Sequence, residues 1–344
     1  MLRKTLACML LALITLFITL PVTFSQPQLS ITLDTEKINY HYRQLVSIYG
    51  NVTYFDVPVE EGLVALQITF PHGSAGFNAT RTVPANATPT DDWEVEIVSV
   101  RTLDGNGDPQ TIFSKGGNAW FEVEVHNNSV FGNKTVLYTL TLFDSDSTPF
   151  KSHMVRATIQ AGTSFTDRVR MDLNGYDGGA WVSTGTAKAH ASVYTNWPSM
   201  GGYPYCPEKS ATFTITSTDL QTTTLPESAA TPAQTASYYN SYQAAIRLPP
   251  DIPLGTHIIT ASAYYNSFTA YTNTSFEREY EMKGDILYNR KVDIFDIVAA
   301  ASAYNTKGGL PRWNPEADLP LPTPNGKVDI FDIVAVSSNY GKTY

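Results

Sequence analysis

Trp120-Phe121-Glu122-Val123-Glu124-Val125 and Val136-Leu137-Tyr138-Thr139-Leu140-Thr141-Leu142-Phe143 decide the fold class. Phe121, Val123 and Val125 fall on one side of an extended chain, and Glu122 and Glu124 on the other. Val136, Tyr138, Leu140 and Leu142 repeat the alternation. A period of two marks a strand with one face in a core. Working outward, Glu94–Val100, Met154–Gln160, Arg168–Leu173, Ala187–Tyr194 and Ala211–Thr216 also read as strands. That is about seven strands in roughly 125 residues, the density of a two-sheet sandwich.

The rest of the chain agrees with a mainly β protein. Of 344 residues, 42% are hydrophobic and 16% charged, so a core is affordable. Abundant Tyr, Thr, Ser and Asn favour strands and turns over long helices. A net charge of −9 argues against a nucleic-acid partner, which needs a concentrated Lys/Arg surface. Arg3 and Lys4 precede an apolar run from Leu6 to Leu20, then Pro21 and Thr23-Phe24-Ser25. This order predicts a signal peptide over residues 1–25 with cleavage before Gln26, and hence an extracellular or cell-surface protein. An uncleaved membrane anchor is the alternative reading. Cleavage leaves Cys206 alone, so no intramolecular disulfide is expected. Six N-x-Ser/Thr sequons, at Asn51, Asn78, Asn86, Asn127, Asn133 and Asn273, suggest a glycosylated surface.

Val46–Thr53 and Gly62–Phe70 are strand-like, with Gly50 as a bulge or twist point and Pro71-His72-Gly73 as a breaker. Tyr242–Leu248 and Gly255–Tyr265 are strand-like again. Residues 218–236, rich in Thr, Ser, Pro, Ala and Gln, read as a linker. Neither 26–90 nor 237–282 holds enough strands for a sandwich, but together they do. The phrases VSIYGNVTY and GLVALQITFP resemble the opening strands of macroglobulin-type immunoglobulin-like domains, and RLPPDIPLGTHIITASAYYN resembles their closing strands. This resemblance implies one immunoglobulin-like sandwich split over 26–90 and 237–282, with residues 91–217 inserted as a second. The insert, with FEVEVHNN and TLTLFDSDSTPF, resembles the cell-adhesion-related domain of bacteria and archaea. Two consecutive sandwiches without insertion are the alternative.

Residues 283–344 switch to helical periodicity. Lys291–Ala299 and Lys327–Ala335 are the same nine residues, KVDIFDIVA, offset by 36, and Tyr304 and Tyr340 keep that offset. Asp293, Asp296, Asp329 and Asp332 suit helix N-caps, since carboxylates favour the positive helix end. The repeat also predicts a pseudo-two-fold packing of Val292, Phe295, Ile297 and Val298 on Val328, Phe331, Ile333 and Val334. Two such loop–helix units resemble type I dockerins, small α-helical modules with paired EF-hand-like calcium loops that dock onto cohesins. The resemblance implies calcium ligands at Asp285, Asn289, Asp293 and Asp296 in the first loop. In the second it implies Asp318, Thr323, Asn325, Asp329 and Asp332. The first loop departs from the pattern at Leu287 and Arg290, and LPLPTP adds three residues to the second, so calcium is expected to bind weakly or not at all. Partner-choosing positions in the family fall on Ile294-Phe295 and Ile330-Phe331. Their apolar character points to a cohesin-like or another surface protein.

The six histidines carry no metal spacing. Asp104-Gly105-Asn106-Gly107-Asp108 reads as a hairpin turn more than as a cation loop. Trp197, Tyr203 and Tyr205 suit sandwich packing first and sugar stacking second. Without a nucleophile motif, phosphate loop or paired carboxylates, the expectation is a non-catalytic surface interaction or adhesion protein. An accessory carbohydrate-binding subunit of a polysaccharide-degrading assembly is the alternative.

Overall fold

The computed structural model describes residues 28–41, 44–85, 93–175, 182–217, 241–249, 252–279, 283–287, 289, 291–307, 310, 312, 314, 317–319 and 326–343. The expected signal peptide and linker, and Asn86, Arg290, Trp313, Thr323 and Asn325, lie outside the described residues. The chain is mainly β. In order, the first strands are β1 (Leu29–Ile31), β2 (Asp34–Thr35), β3 (Asn39–Tyr40), β4 (Leu45–Gly50), β5 (Val52–Tyr54), β6 (Val57–Pro58), β7 (Gly62–Thr69) and β8 (Ala75–Val83). Then follow β9 (Val95–Leu103), β10 (Ile112–Ser114), β11 (Asn118–Asn127), β12 (Lys134–Phe143), β13 (Pro149–Ile159), β14 (Ser164–Asp172), β15 (Gly185–Tyr194) and β16 (Lys209–Thr216). The last long strands are β17 (Tyr242–Arg247), β18 (Gly255–Tyr265) and β19 (Phe268–Arg278). The C-terminal part holds α1 (Ile294–Ser302), β20 (Thr306–Lys307), β21 (Lys327–Val328) and α2 (Ile330–Ser338). No helix among the described residues is long and apolar enough to cross a membrane.

Alternation sets the middle core. On β11 every second residue is buried, with Phe121, Val123 and Val125 inward and Glu122 and Glu124 outward. The sheet β14-β11-β9 faces the sheet β10-β16-β15-β12-β13 across these residues and Val136, Tyr138, Leu140 and Leu142. Among the described residues, β9 to β16 pair only with one another.

The strands on either side complete each other. β17 pairs antiparallel with β4, Ile246 opposite Val46, and β18 pairs antiparallel with β7, Ala261 opposite Leu66. The sheets β3-β19-β18-β7-β8 and β17-β4-β2 share a core with Tyr40, Ile48, Leu66, Tyr242, Ile259 and Phe276. Gly50 serves close approach: any Cβ there would overlap the Tyr242 ring, whose hydroxyl donates to the Thr32 carbonyl. His257, buried, stacks on Phe276 at 5.0 Å and 9°. β8 and β19, both polar in sequence, were absent from the sequence-based expectation, and several strands run longer than their apolar cores suggested.

The two strand groups meet over a polar seam. Ala65, Leu137 and Tyr194 are buried together there, with Trp197 against them. Glu208 ties the sides: Arg81 Nη1 lies 2.9 Å from its Oε2, the Thr80 N–H donates to the same oxygen at 3.1 Å, and His190 Nδ1 is 3.0 Å from Oε1. Ser199 N–H donates to Gln67 Oε1 at 3.1 Å, and Tyr203 stacks on Tyr264 at 4.4 Å and 11°.

Candidate docking and cation-binding site

Each copy of KVDIFDIVA becomes a strand residue or two, a cap and a helix. Asp293 Oδ1 accepts from Phe295 N–H at 2.8 Å, and Asp296 Oδ2 accepts from Asp293 N–H at 2.8 Å. Asp329 and Asp332 repeat this at 2.8 and 2.7 Å. Both helices therefore start in a reciprocal capping box built from two aspartates, at a helix end that favours negative charge. The second oxygens reach further back. Asp296 Oδ1 accepts from Leu287 N–H at 3.0 Å and Asp332 Oδ1 from Leu319 N–H at 2.8 Å, so one carboxylate pins helix start and preceding loop together. Asp285 Oδ1 accepts from Asn289 N–H at 3.0 Å, Asn289 Oδ1 from Lys291 N–H at 3.1 Å, and Asp318 Oδ2 from Gly326 N–H at 2.9 Å.

The two units interlock reciprocally. Asn305 N–H donates to Val328 C=O and Gly341 N–H to Val292 C=O, both at 2.8 Å. Both donors and both acceptors are 36 residues apart, so the sequence repeat is a spatial pseudo-two-fold. Val292, Val328, Ala300 and Val336 are buried between the helices, with Ile297 and Ile333 partly covered.

The expected core differs in four positions. Phe295, Val298, Phe331 and Val334 are 62%, 54%, 68% and 57% exposed, not packed across the two-fold. Nine-residue helices that meet through alanines bury one narrow stripe, and these residues lie off it. Ile294 and Ile330 are exposed beside them. Each helix thus offers solvent an apolar triplet, Ile294-Phe295-Val298 and Ile330-Phe331-Val334. Ile294, Phe295, Ile330 and Phe331 are the partner-choosing positions of the resemblance, Phe295 and Phe331 being expected in the two-fold packing as well, and Val298 and Val334 in that packing alone.

Asp285, Asp296, Asp318 and Asp332 are buried, and burial pushes the Asp332 carboxyl up from its ordinary value. The Lys291 ammonium sits 2.8 Å from Asp293 Oδ2 and holds that carboxyl below the usual range. Leu287, at a loop position where a ligand would stand, is half exposed. Calcium takes six to eight oxygens. Among the described residues no three acidic, histidine or cysteine side chains gather closely enough to hold a metal. As they stand, the carboxylates serve the backbone.

Other residues singled out in the sequence fall as follows. Asn127 is fully buried, donating to Ile159 C=O at 3.1 Å, and Asn78 is buried in the seam. Both side chains are buried as folded, unlike those of the other described sequons. Asn133 and Asn273 are exposed, and Asn51 is half-buried with its Oδ1 accepting from Ser241 N–H. Trp197 packs against the seam cluster and Tyr203 stacks on Tyr264, as above, both rings staying partly exposed. Asp104 Oδ1 accepts from the N–H groups of Asn106, Gly107 and Asp108, closing a turn. Burial pushes the Asp144 carboxyl up to about 6 although the Ser183, Thr148 and Asp146 N–H groups donate to it. It braces the Asp144–Thr148 turn against Ser183 and is not open to a substrate.

No protein-family model and no curated protein matches this chain. Solved structures overlap parts of it at low similarity. The C-terminal domain of wzt aligns with 39% of this chain and 85% of its own, at 9% identity and a TM-score of 0.30. The alkylpurine DNA glycosylase AlkC of Pseudomonas fluorescens aligns with 36% of this chain and 30% of its own, at 12% identity and 0.27. A β-glucosidase from Listeria innocua in complex with isofagomine covers 37% and 17%, at 14% and 0.24. Likeness at this level carries no argument about function.

Proposed function

We propose that this chain is a non-catalytic cell-surface interaction protein that docks a partner protein through its C-terminal helix pair. One observation carries the reading: the 36-residue repeat leaves two symmetry-related apolar triplets in solvent on helices whose buried stripes are already filled. Six exposed aliphatic and aromatic side chains on so small a unit lack a reason in its own packing. The dockerin-like order of caps and helices supports a cohesin-like partner. The nested pairing of β4 with β17 and β7 with β18 supports a split immunoglobulin-like sandwich carrying an inserted one. On this reading the sandwiches are a stalk, calcium is at most a weak ligand, and the exposed Asn133 and Asn273 are the glycan positions to examine.

The test is binding of the full chain to a panel of immobilised cohesin modules, with and without calcium. Saturable binding in at least one case, abolished by charging both triplets, supports the proposal. Binding that is unaffected by the triplets assigns docking to another surface.

A further inference from the structure

His257 stands on β18 with its side chain in the core of the split sandwich, on the same side as Ile259 and without exposed surface. Its ring lies flat on Phe276 and meets Phe70 edge-on at 5.8 Å. Nδ1 is 2.9 Å from the Gly255 carbonyl. A carbonyl only accepts, so Nδ1 carries the proton and Nε2 is the bare nitrogen. Nε2 is enclosed, and no described residue offers it a hydrogen-bond partner. A neutral imidazole suits this place. An imidazolium does not, because the second proton would put a further N–H and a full charge into the core with no acceptor at hand. Arg278 on β19 and His72 after β7 oppose that charge, while Glu277 on β19 favours it. β3 and β8 reach the stack through rings, Tyr40 on Phe276 at 5.4 Å and Phe77 on Phe70 at 5.6 Å. Burial is the largest effect and holds the imidazole below its usual 6.5.

The stack holds the strand end from which the C-terminal unit follows. Phe276 lies between His257 and the edge of Tyr40. Beside it, the short parallel pairing of β19 with β3 sets Glu277 opposite Asn39 and Arg278 opposite Tyr40. Glu277 N–H donates to Ile38 C=O at 2.8 Å, Glu279 N–H to Tyr40 C=O at 3.1 Å, and Asn39 Nδ2 to Glu279 Oε1 at 2.7 Å. Thr256 Oγ1 adds a bond to Glu277 Oε2 at 2.7 Å. β3 is two residues long, so these bonds depend on Tyr40 and Phe276 staying packed. The C-terminal unit starts at residue 283, four residues after Glu279.

We infer that His257 is an acid-sensitive latch: neutral, it keeps the β3–β19 end closed on the sandwich, and on protonation it leaves the core and frees the strand end that carries the C-terminal unit. Mild acid then loosens the tether of the docking helices and spares the insert, whose core is a separate cluster. The inference does not depend on what those helices dock.

The experiment compares the full chain with His257→Phe, which keeps a ring in the stack and cannot titrate. His257→Gln, which keeps a donor for Gly255, serves as the second variant should the first not fold. Hydrogen exchange is read by mass spectrometry at pH 7.5 and 5.5, each corrected for the intrinsic rate. Peptides 37–41, 255–260 and 274–279 report the latch, and 119–126 in the insert is the control. A neutral buried histidine contributes stability that is complete above 6.5 and lost as pH falls through its folded value. Acid should therefore raise wild-type exchange in the three latch peptides severalfold, with a ceiling of about tenfold for the pH unit below 6.5. It should leave 119–126 unchanged and spare the latch peptides of the variants. His41, also held below 6.5 by burial, and Asp144 are present in every chain, so the difference between chains reads His257 alone. An equal acid response in wild type and a folded variant overturns the inference. So does acid-raised exchange that spreads evenly to 119–126, which would make protonation a global loss of stability. A His257 resonance that titrates at 6.5 or above in the folded chain, by imidazole NMR, overturns it as well.

Discussion

Replacing Glu208 by alanine should loosen the seam between the two strand groups. The carboxylate faces Arg81, Thr80 N–H and His190, with its side chain 21% exposed. Burial works to raise its pKa, but Arg81 and the His190 hydrogen bond outweigh burial and hold it below the usual value of 4.5. Hydrogen bonds to a charged group contribute about 1.5–3 kcal/mol, and a fully buried pair broken on one side costs about 3–5 kcal/mol. Arg81 keeps a quarter of its side-chain surface in water and can rehydrate, so the expected loss is about 2–3 kcal/mol. A depressed folded pKa contributes stability that is present above pH 4.5 and fades as pH falls through the folded value. The deficit of Glu208→Ala should therefore be full at pH 7 and shrink below pH 4.5. Urea unfolding followed by tryptophan fluorescence reads it, since Trp197 lies in the seam. The Arg81→Ala/Glu208→Ala double variant should lose less than the sum of the singles. A deficit under about 0.5 kcal/mol at pH 7, the range of an ordinary exposed pair, would refute the seam as a coupling element.

Asp296→Ala and Asp332→Ala each remove a capping-box acceptor and a loop clamp, so each should destabilise the C-terminal unit by about 2 kcal/mol or more and lower its helical circular dichroism. Asp144 titrates oppositely to Glu208: its folded value of about 6 exceeds the ordinary 3.8, so the stability it contributes is complete below pH 3.8 and lost as pH rises through 6. Asp144→Ala should flatten that part of the stability–pH curve, measured by urea midpoints. Calcium at 1 mM should move the melting temperature of the full chain by less than about 1–2 °C, because half-saturation stabilises by only ~0.4 kcal/mol; a shift of many degrees would mean the carboxylates reorganise into a cage.

The sandwich cores were legible because one-sided burial writes a period of two. Phe121 to Val125 and Val136 to Leu142 show it without ambiguity. β8 was illegible for a physical reason: AGFNATRTV puts Asn78 and Thr80 in the seam, where a polar face is buried instead of solvated. β19 was missed because its inward positions run Phe268, Ala270, Thr272, Thr274 and Phe276, so threonines interrupt the apolar alternation. Tertiary pairing, not composition, makes both of them strands. Glu208, Arg81 and His190 have no local signature, since their meeting depends on how the two groups stack. In the C-terminal repeat, the caps were readable from Asp293-x-x-Asp296 and Asp329-x-x-Asp332. Exposure was not: the apolar residues of IFDIV exceed what two short helices can bury, and the sequence does not mark which are left over.

The most direct test of docking is calorimetric titration of a cohesin module that binds the wild-type chain with the Phe295→Ser/Phe331→Ser double variant. Both rings are mostly exposed, so the variant should melt within about 2 °C of wild type. Its affinity should fall at least tenfold, a loss of about 1.4 kcal/mol or more. Unchanged affinity in a folded variant would contradict the account, and so would a large drop in melting temperature, which would place the two rings in the core after all.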